Sequence, residues 1–179
     1  MGALQNNHPH YKLQDYELWE GRWELIEGIP YAMSPAPSIR HQSVSQRIAL
    51  QLGNQLQNCQ TCQALLPIDW RIAEDTVVQP DNLVVCGEVT GQYLTRAPEI
   101  IFEILSPSTA SKDRNLKFEL YEREGVKYYV IVDPETQVAK LYQRFADGRF
   151  VKQIDAEKQQ FVFDLGECQL AFDFSLIWS

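Results

Sequence analysis

The segment EIIFEIL, residues 99–105, decides the fold. Its apolar side chains fall on both faces of a strand, a pattern typical of strands that are covered on both sides. The segments DNLVVC, residues 81–86, and KYYVIVD, residues 127–133, have the same pattern. These three segments therefore predict the strands of a central sheet with two buried faces.

Two amphipathic helices are predicted along the chain. The first begins after Ser38, a residue type that caps helices, because apolar residues then recur every four positions, at Val44, Ile48, Leu52 and Leu56. The second begins at Ser108 or Thr109 and continues to Glu124, where Gly125 provides the stop. Two helices of this kind can cover the faces of the predicted sheet.

Shorter strands are predicted before the central segments. Residues 23–26 and 31–33 flank a Glu-Gly turn, which predicts an N-terminal hairpin. Residues 63–72 predict one further strand, despite Pro67.

The last part of the chain has a different pattern of short strands separated by turns. These strands are predicted at residues 139–145, 150–154 and 160–163. They predict an antiparallel extension of the sheet over residues 136–179. The complete order of elements indicates an α/β fold of the α+β type, with a mixed central β-sheet flanked by helices. No linker or repeat divides the sequence, so residues 1–179 are expected to form one domain.

Composition and charge limit the classes of function. The chain has 179 residues and a net charge of −8, which opposes long-range attraction to a polyanion such as DNA. Basic residues do concentrate locally, although either group can equally be a solvated helix face: Lys112, Arg114 and Lys117 form one group, and Arg40, His41 and Arg47 the other. No apolar run approaches the roughly 18 residues of a membrane span, so we expect no membrane partner and a cytoplasmic location.

The four cysteines predict no disulfide framework. Cys59 and Cys62 form half of a zinc-ribbon pattern, but no second pair of this spacing follows. Cys86 and Cys168 each stand in apolar, strand-like sequence. The pattern favours buried or incidental thiols over zinc or redox chemistry.

Two acidic residues stand in or next to apolar strands, where an ordinary hydrophobic core has no carboxylates. Glu103 lies in the middle of an apolar strand, where an uncompensated charge would cost several kcal/mol. Asp81 follows Pro80 at the start of the neighbouring strand, so both carboxylates can lie at one site in the sheet. Such a pair suits a hard divalent cation. The structural alternatives are an ion pair or a kink at the strand end for Glu103, and turn chemistry for Asp81.

Lys117 is the third unusual residue. Helical geometry places Leu116, Leu120 and Tyr121 within about 100° of it, near the middle of the apolar arc. A lysine there must either extend to solvent or meet an anion. Because the helix follows the strand of Glu103, the Lys117 amine is predicted to lie beside that carboxylate.

These residues together resemble the Uma-two family of restriction-endonuclease-like proteins, which belongs to the PD-(D/E)XK nuclease superfamily. The resemblance covers residues 16 to 145, and it is carried by Glu24 to Gly28, Met33 to His41, Pro80-Asp81, Glu103 to Thr109, Asp113, Lys117, Tyr121 and Val132 to Glu135. The superfamily's usual lysine position, two residues after the acidic residue, here holds Leu105. The family is similar to members whose lysine lies on the following helix, which makes Lys117 the counterpart.

The resemblance implies a restriction-endonuclease-like core, a Mg²⁺ cofactor that Mn²⁺ can replace, and hydrolysis of phosphodiester bonds in DNA. It implies that Asp81 and Glu103 bind the metal with the Ile104 carbonyl, and that Lys117 orients the attacking water. Three supporting residues are implied as well, a further carboxylate and two residues that position the lysine: Glu27, Asp113 and Tyr121. For Asp113 and Tyr121, capping or packing is an equal alternative. His41 has no visible partner in the sequence, and it is expected to be a helix-entry or surface residue.

Two alternatives to a DNA endonuclease stay open. One is a catalytically silent binding or assembly protein that retains the fold and forms a homodimer through its antiparallel tail. The other is a hydrolase of a different phosphodiester. Binding of a metal ion between Asp81 and Glu103 would argue against the silent protein. Turnover of small diesters without DNA binding would indicate the hydrolase of a different phosphodiester.

Overall fold

The computed structural model describes residues 9–33, 36–107 and 115–178. Its helices are α1 (Leu13–Tyr16), α2 (Ile39–Gln55) and α3 (Lys117–Glu124), with a short 3-10 helix at Phe174–Leu176. Its strands are β1 (Trp23–Ile26), β2 (Ile29–Ala32), β3 (Cys62–Leu65), β4 (Trp70–Ala73), β5 (Thr76–Val78), β6 (Asn82–Cys86), β7 (Ile100–Ile104), β8 (Tyr128–Asp133), β9 (Val138–Arg144), β10 (Phe150–Ala156), β11 (Gln160–Asp164) and β12 (Gln169–Asp173).

A six-stranded mixed sheet forms the centre of the molecule, in the order β10-β9-β8-β7-β6-β3. Strands β7 and β8 run parallel, and the other neighbours run antiparallel. This confirms the predicted α+β class with a mixed central sheet and few helices.

Both faces of the central sheet are buried, as predicted from its apolar strands. On one face, α2 and the hairpin of β11 and β12 cover Val84, Phe102 and Val130. On the other face, α3 and residues of a second, four-stranded sheet (order β2-β1-β5-β4) cover Leu83 and Ile101. Because side chains alternate along a strand, Glu103 points to the same face as Ile101.

The ends of the two main helices follow the predicted capping chemistry. Ser38 caps α2, since its Oγ accepts a hydrogen bond of 3.2 Å from the His41 backbone N–H. Gly125 ends α3 in the left-handed conformation (φ 89°), which glycine adopts without steric cost. The predicted start of this helix at Ser108 or Thr109 lies outside the described residues. No helix within the described ranges is both long and apolar enough to span a membrane.

Three predictions about strands were wrong. Residues 63–72 form two strands in different sheets, β3 and β4, because Pro67 lacks the N–H that a continuous ladder requires. The sequence analysis missed the three-residue β5 and also β12. The last two strands pair only with each other in a separate two-stranded sheet, so the antiparallel extension of the central sheet consists of β9 and β10.

The prediction of free thiols was also wrong, because all four cysteines form disulfides. Cys62 and Cys86 are direct partners in the pairing of β3 with β6, and this register brings their side chains together. Cys59 and Cys168 are 109 residues apart in the sequence, but their Cα atoms lie 5.9 Å apart. The docking of the C-terminal hairpin next to the end of α2 creates this contact, and sequence spacing alone does not reveal it.

Candidate functional site

Lys117 and Glu103 form a buried ion pair at the face of the central sheet covered by α3. Lys117 is the first residue of α3, and its Nζ lies 2.8 Å from Glu103 Oε1. Only 2% of the Lys117 side chain and 4% of the Glu103 side chain are exposed. An ammonium group meets the carboxylate in the middle of the apolar strand, as the helical arc predicts.

Glu24 is a second buried carboxylate at this ion pair, and the sequence analysis did not single it out. It lies on β1, is fully buried, and places Oε1 2.7 Å from Lys117 Nζ. The same oxygen accepts a hydrogen bond of 2.9 Å from the Gln79 backbone N–H. The sequence pattern that could have identified Glu24 is a glutamate inside a short apolar strand, the same pattern that identified Glu103.

Tyr121 completes the buried network from the next turn of α3. Its hydroxyl donates a hydrogen bond of 2.7 Å to Glu103 Oε1, the oxygen that also contacts Lys117. Burial, and secondarily the negative charge of Glu103, raises the pKa of Tyr121 well above its usual value of 10. The phenol therefore stays protonated and remains a hydrogen-bond donor across the neutral range.

Asp81 lies immediately before β6, at the edge of this network. Asn82 pairs with Phe102, so continuing the antiparallel register places Asp81 opposite Glu103. Asp81 Oδ2 accepts a hydrogen bond of 2.8 Å from the Ile104 backbone N–H. Its side chain is 16% exposed, so this carboxylate is more open to solvent than Glu103.

His41 also contacts the carboxylate of Asp81. Its Nε2 lies 3.3 Å from Asp81 Oδ2, and 12% of its side chain is exposed. The prediction of a helix-entry position was right, because His41 is in the first turn of α2. The prediction of no visible partner was wrong, since the partner comes from a strand start 40 residues later and only the fold brings the two together.

The residues of the site that the structure describes include more carboxylates than lysines. Asp81, Glu103 and Glu24 supply three carboxylates, and Lys117 supplies one ammonium group. His41 offsets part of the difference only when it is protonated. Oxygen donors with a net negative charge form an environment that suits a hard cation.

Comparison with known protein families shows which family this chain belongs to. The sequence profile of the Uma2 family, described as "Putative restriction endonuclease", matches residues 13–167. The chain belongs to the Uma2 family. The resemblance inferred from the sequence motifs is thereby confirmed.

Two other proteins resemble this Uma2 chain. "Uncharacterized protein slr1290" from Synechocystis is 29% identical over 150 residues, which cover 78% of this chain and 77% of that protein. A crystal structure of "a putative nuclease belonging to DUF820" from Anabaena variabilis superposes with a TM-score of 0.76 at 17% identity. The superposition covers 94% of this chain and 97% of the other, and it shows that the two share a fold.

Glu27, one of the supporting residues predicted for the site, does not appear in the buried network. Glu27 lies in the turn after β1, with a positive φ of 50°, and its exposed carboxylate pairs with Arg123 at 3.0 Å. Glu27 lies beyond the end of β1, whereas Glu24 lies within the strand and contacts Lys117. Asp113 lies outside the described residues. Glu24, and not Glu27, is therefore the further carboxylate of the buried network.

Replacing Tyr121 with Phe measures the strength of this network. The variant removes one donor from a buried carboxylate, and hydrogen bonds to charged groups contribute about 1.5–3 kcal/mol. We therefore expect Tyr121→Phe to lower the free energy of unfolding by about 2 kcal/mol in urea denaturation. The matched control is Tyr142→Phe, at a partly buried tyrosine that packs through its ring, with an expected change within about 0.5 kcal/mol. Equal losses in both variants would contradict the role of the Tyr121 hydroxyl.

Proposed function

We propose that this Uma2 chain is a metal-dependent endonuclease that hydrolyses phosphodiester bonds of DNA, with Asp81, Glu103 and Lys117 as its catalytic residues. One observation carries the proposal. A lysine from α3 is buried 2.8 Å from a carboxylate in the middle of a central strand, beside a second strand that an aspartate immediately precedes. The description of the family supports the same class of reaction.

The donor set fits a magnesium-type ion. Mg²⁺ is usually bound by one or two carboxylates, with water and substrate phosphate completing its shell. Asp81 and Glu103 would supply the two carboxylates, and the Ile104 backbone carbonyl would supply a third oxygen. When bound, the ion provides Lewis-acid activation of the phosphate, and Mn²⁺ would substitute because it accepts the same oxygen donors.

The residues around the metal ligands would position the reacting groups. Lys117 is held between Glu24 and Glu103 at 2.7 and 2.8 Å, so its amine has little freedom to move. A fixed cation in a buried site stabilises the charge that develops on the phosphate more effectively than a mobile, solvated one. Lys117 would also orient the attacking water. Glu24 and Tyr121 are positioning residues, since they act through Lys117 and Glu103.

The acidity of the chain makes the metal necessary for binding DNA as well as for the reaction. The described residues of the site include three carboxylates and one lysine, and the whole chain has a net charge of −8. A phosphate group approaching Asp81 without a metal would be repelled by its carboxylate. A divalent ion bound there would reverse the local charge and attract the phosphate.

A plasmid cleavage assay tests the proposal. Supercoiled DNA is incubated with millimolar Mg²⁺ or Mn²⁺ and with wild type, Glu103→Gln or Glu119→Gln. Glu119 is an exposed residue of the same helix as Lys117 and serves as the control. We expect nicked and linear products from wild type and Glu119→Gln, and a rate at least about 100-fold lower for Glu103→Gln, comparable to the loss of one electrostatic group in other enzymes.

Three results would contradict a DNA endonuclease in different ways. If wild type cleaves no DNA and binds no Mn²⁺ in calorimetry, the chain is a silent binding protein. If wild type hydrolyses small phosphodiesters but does not bind DNA, the substrate class is wrong. If Glu103→Gln cleaves DNA as fast as wild type, the activity does not come from this site.

A further inference from the structure

The four cysteines converge at one end of the central sheet from separate segments. Cys59 follows α2, Cys62 begins β3, Cys86 ends β6, and Cys168 lies between β11 and β12. The Sγ atoms of Cys59, Cys62 and Cys168 all lie within 4.8 Å of one another, and Cys86 Sγ is bonded to that of Cys62. The two disulfides are therefore neighbours, and all four sulfurs belong to one cluster.

A threonine hydroxyl lies against this cluster. Thr61 Oγ1 is 3.7 Å from the sulfurs of Cys59 and Cys62 and 3.6 Å from that of Cys168. Cys62 is buried, and the other three cysteines are partly buried against the apolar core. The sulfurs thus lie beside the apolar core and next to a hydroxyl group that can donate a hydrogen bond.

The arrangement has the chemistry of a structural zinc site. Zinc is held by four thiolates at about 2.3 Å, so neighbouring sulfurs in a tetrahedral site lie about 3.8 Å apart. Three of the sulfurs already lie within 4.8 Å of one another. Cys59 and Cys62 also have the two-residue spacing that is usual between paired zinc ligands.

We propose that the four cysteines form a second metal site, which binds one Zn²⁺ when the two disulfides are reduced. Reduction takes four electrons and four protons from two equivalents of a dithiol and leaves four thiols. Binding of Zn²⁺ to the four thiolates then releases four protons and gives a site of net charge −2. The same side chains would thus hold the C-terminal hairpin to α2 and β3 either by covalent bonds or through the metal.

This site is separate from the proposed nuclease site. Asp81 precedes β6 and Cys86 ends it, so the length of the strand, about 16 Å at roughly 3.3 Å per residue, lies between them. The two sites also select different metals, because thiolates prefer soft ions such as zinc and carboxylates prefer hard ions such as Mg²⁺.

Cobalt binding tests the proposal, since Co²⁺ reports tetrahedral thiolate ligands by absorption. The full chain is reduced with a dithiol under anaerobic conditions, freed of reductant and titrated with Co²⁺. We expect one Co²⁺ per chain, with sulfur-to-cobalt charge-transfer absorption and intense visible bands, and loss of both when one equivalent of Zn²⁺ is added. The oxidised protein should show neither signal.

Three variants make the result specific. Cys168→Ser and Cys86→Ser should each lose the spectrum of a four-thiolate site, whereas Asp81→Asn should retain it, so failure of the nuclease proposal does not affect this test. Circular dichroism shows whether each variant is folded, and the comparison of reduced with oxidised wild type requires no variant. Absence of charge-transfer absorption in the reduced wild type, or a spectrum unchanged from wild type in both cysteine variants, would overturn the proposal.

Discussion

Lys117→Met is expected to lower the free energy of unfolding by about 3–5 kcal/mol, the usual cost of removing one partner from a buried ion pair. Methionine retains most of the apolar stem but removes the ammonium group. Glu24 and Glu103 would then face each other in the core without the cation that lies 2.7 and 2.8 Å from them. Urea denaturation monitored by tryptophan fluorescence measures the change.

Two further variants separate charge from packing in this prediction. Lys140→Met, at an exposed position of β9, should change stability by no more than about 0.5 kcal/mol. Adding Glu24→Gln to Lys117→Met should recover part of the lost stability, because it removes one of the two buried charges. If Lys117→Met unfolds at the same urea concentration as Lys140→Met, the buried network contributes nothing to stability.

Asp81→Asn is expected to weaken Mn²⁺ binding by at least about 100-fold while leaving the fold intact. The amide oxygen of asparagine can still accept the hydrogen bond from the Ile104 N–H, so the start of β6 should keep its position. The metal, however, loses an anionic donor, and loss of a mere outer-shell partner already costs 10- to 100-fold in affinity. Calorimetric titration with Mn²⁺ measures the difference.

The matched control for this variant is Asp155→Asn, at an exposed carboxylate of β10 that pairs with Lys152. It should bind Mn²⁺ as wild type does. Unchanged affinity in Asp81→Asn would place any metal elsewhere and would remove the basis for assigning Asp81 a catalytic role. Unfolding of Asp81→Asn would instead show that this carboxylate is needed for structure, and thermal denaturation distinguishes that case.

Local pattern predicted the central part of the fold and failed where contacts between distant segments decide the outcome. Strands β6, β7 and β8 are apolar on both faces, and the main sheet was inferred from them. The short β5 has no pattern of its own, because three residues are too few to show periodicity. The Cys59–Cys168 disulfide depends on where the C-terminal hairpin docks, and the Cys62–Cys86 disulfide depends on the register of β3 with β6. Cysteine spacing contains no information about either.

The site shows the same difference between residues that have a local sequence pattern and contacts that only the fold creates. Glu103 and Lys117 were found because each is a charge in an apolar pattern, and the structure brings them together. Glu24 has the same local pattern, but only Glu27 was named as a further carboxylate, and that assignment came from the family resemblance and not from the strand pattern. The contact of His41 with Asp81 has no local signal in either segment.

The position of Lys117 between two sheets has a consequence for how relatives can diverge. Glu24 belongs to the four-stranded sheet and Glu103 to the six-stranded sheet, and one ammonium group lies between them. A lineage under no selection for catalysis cannot discard this lysine by a single substitution without losing much of its folding free energy. Loss of the lysine would require paired changes at Lys117 and a glutamate, so Glu24, Glu103 and Lys117 can persist together in a relative whose Asp81 has already been replaced.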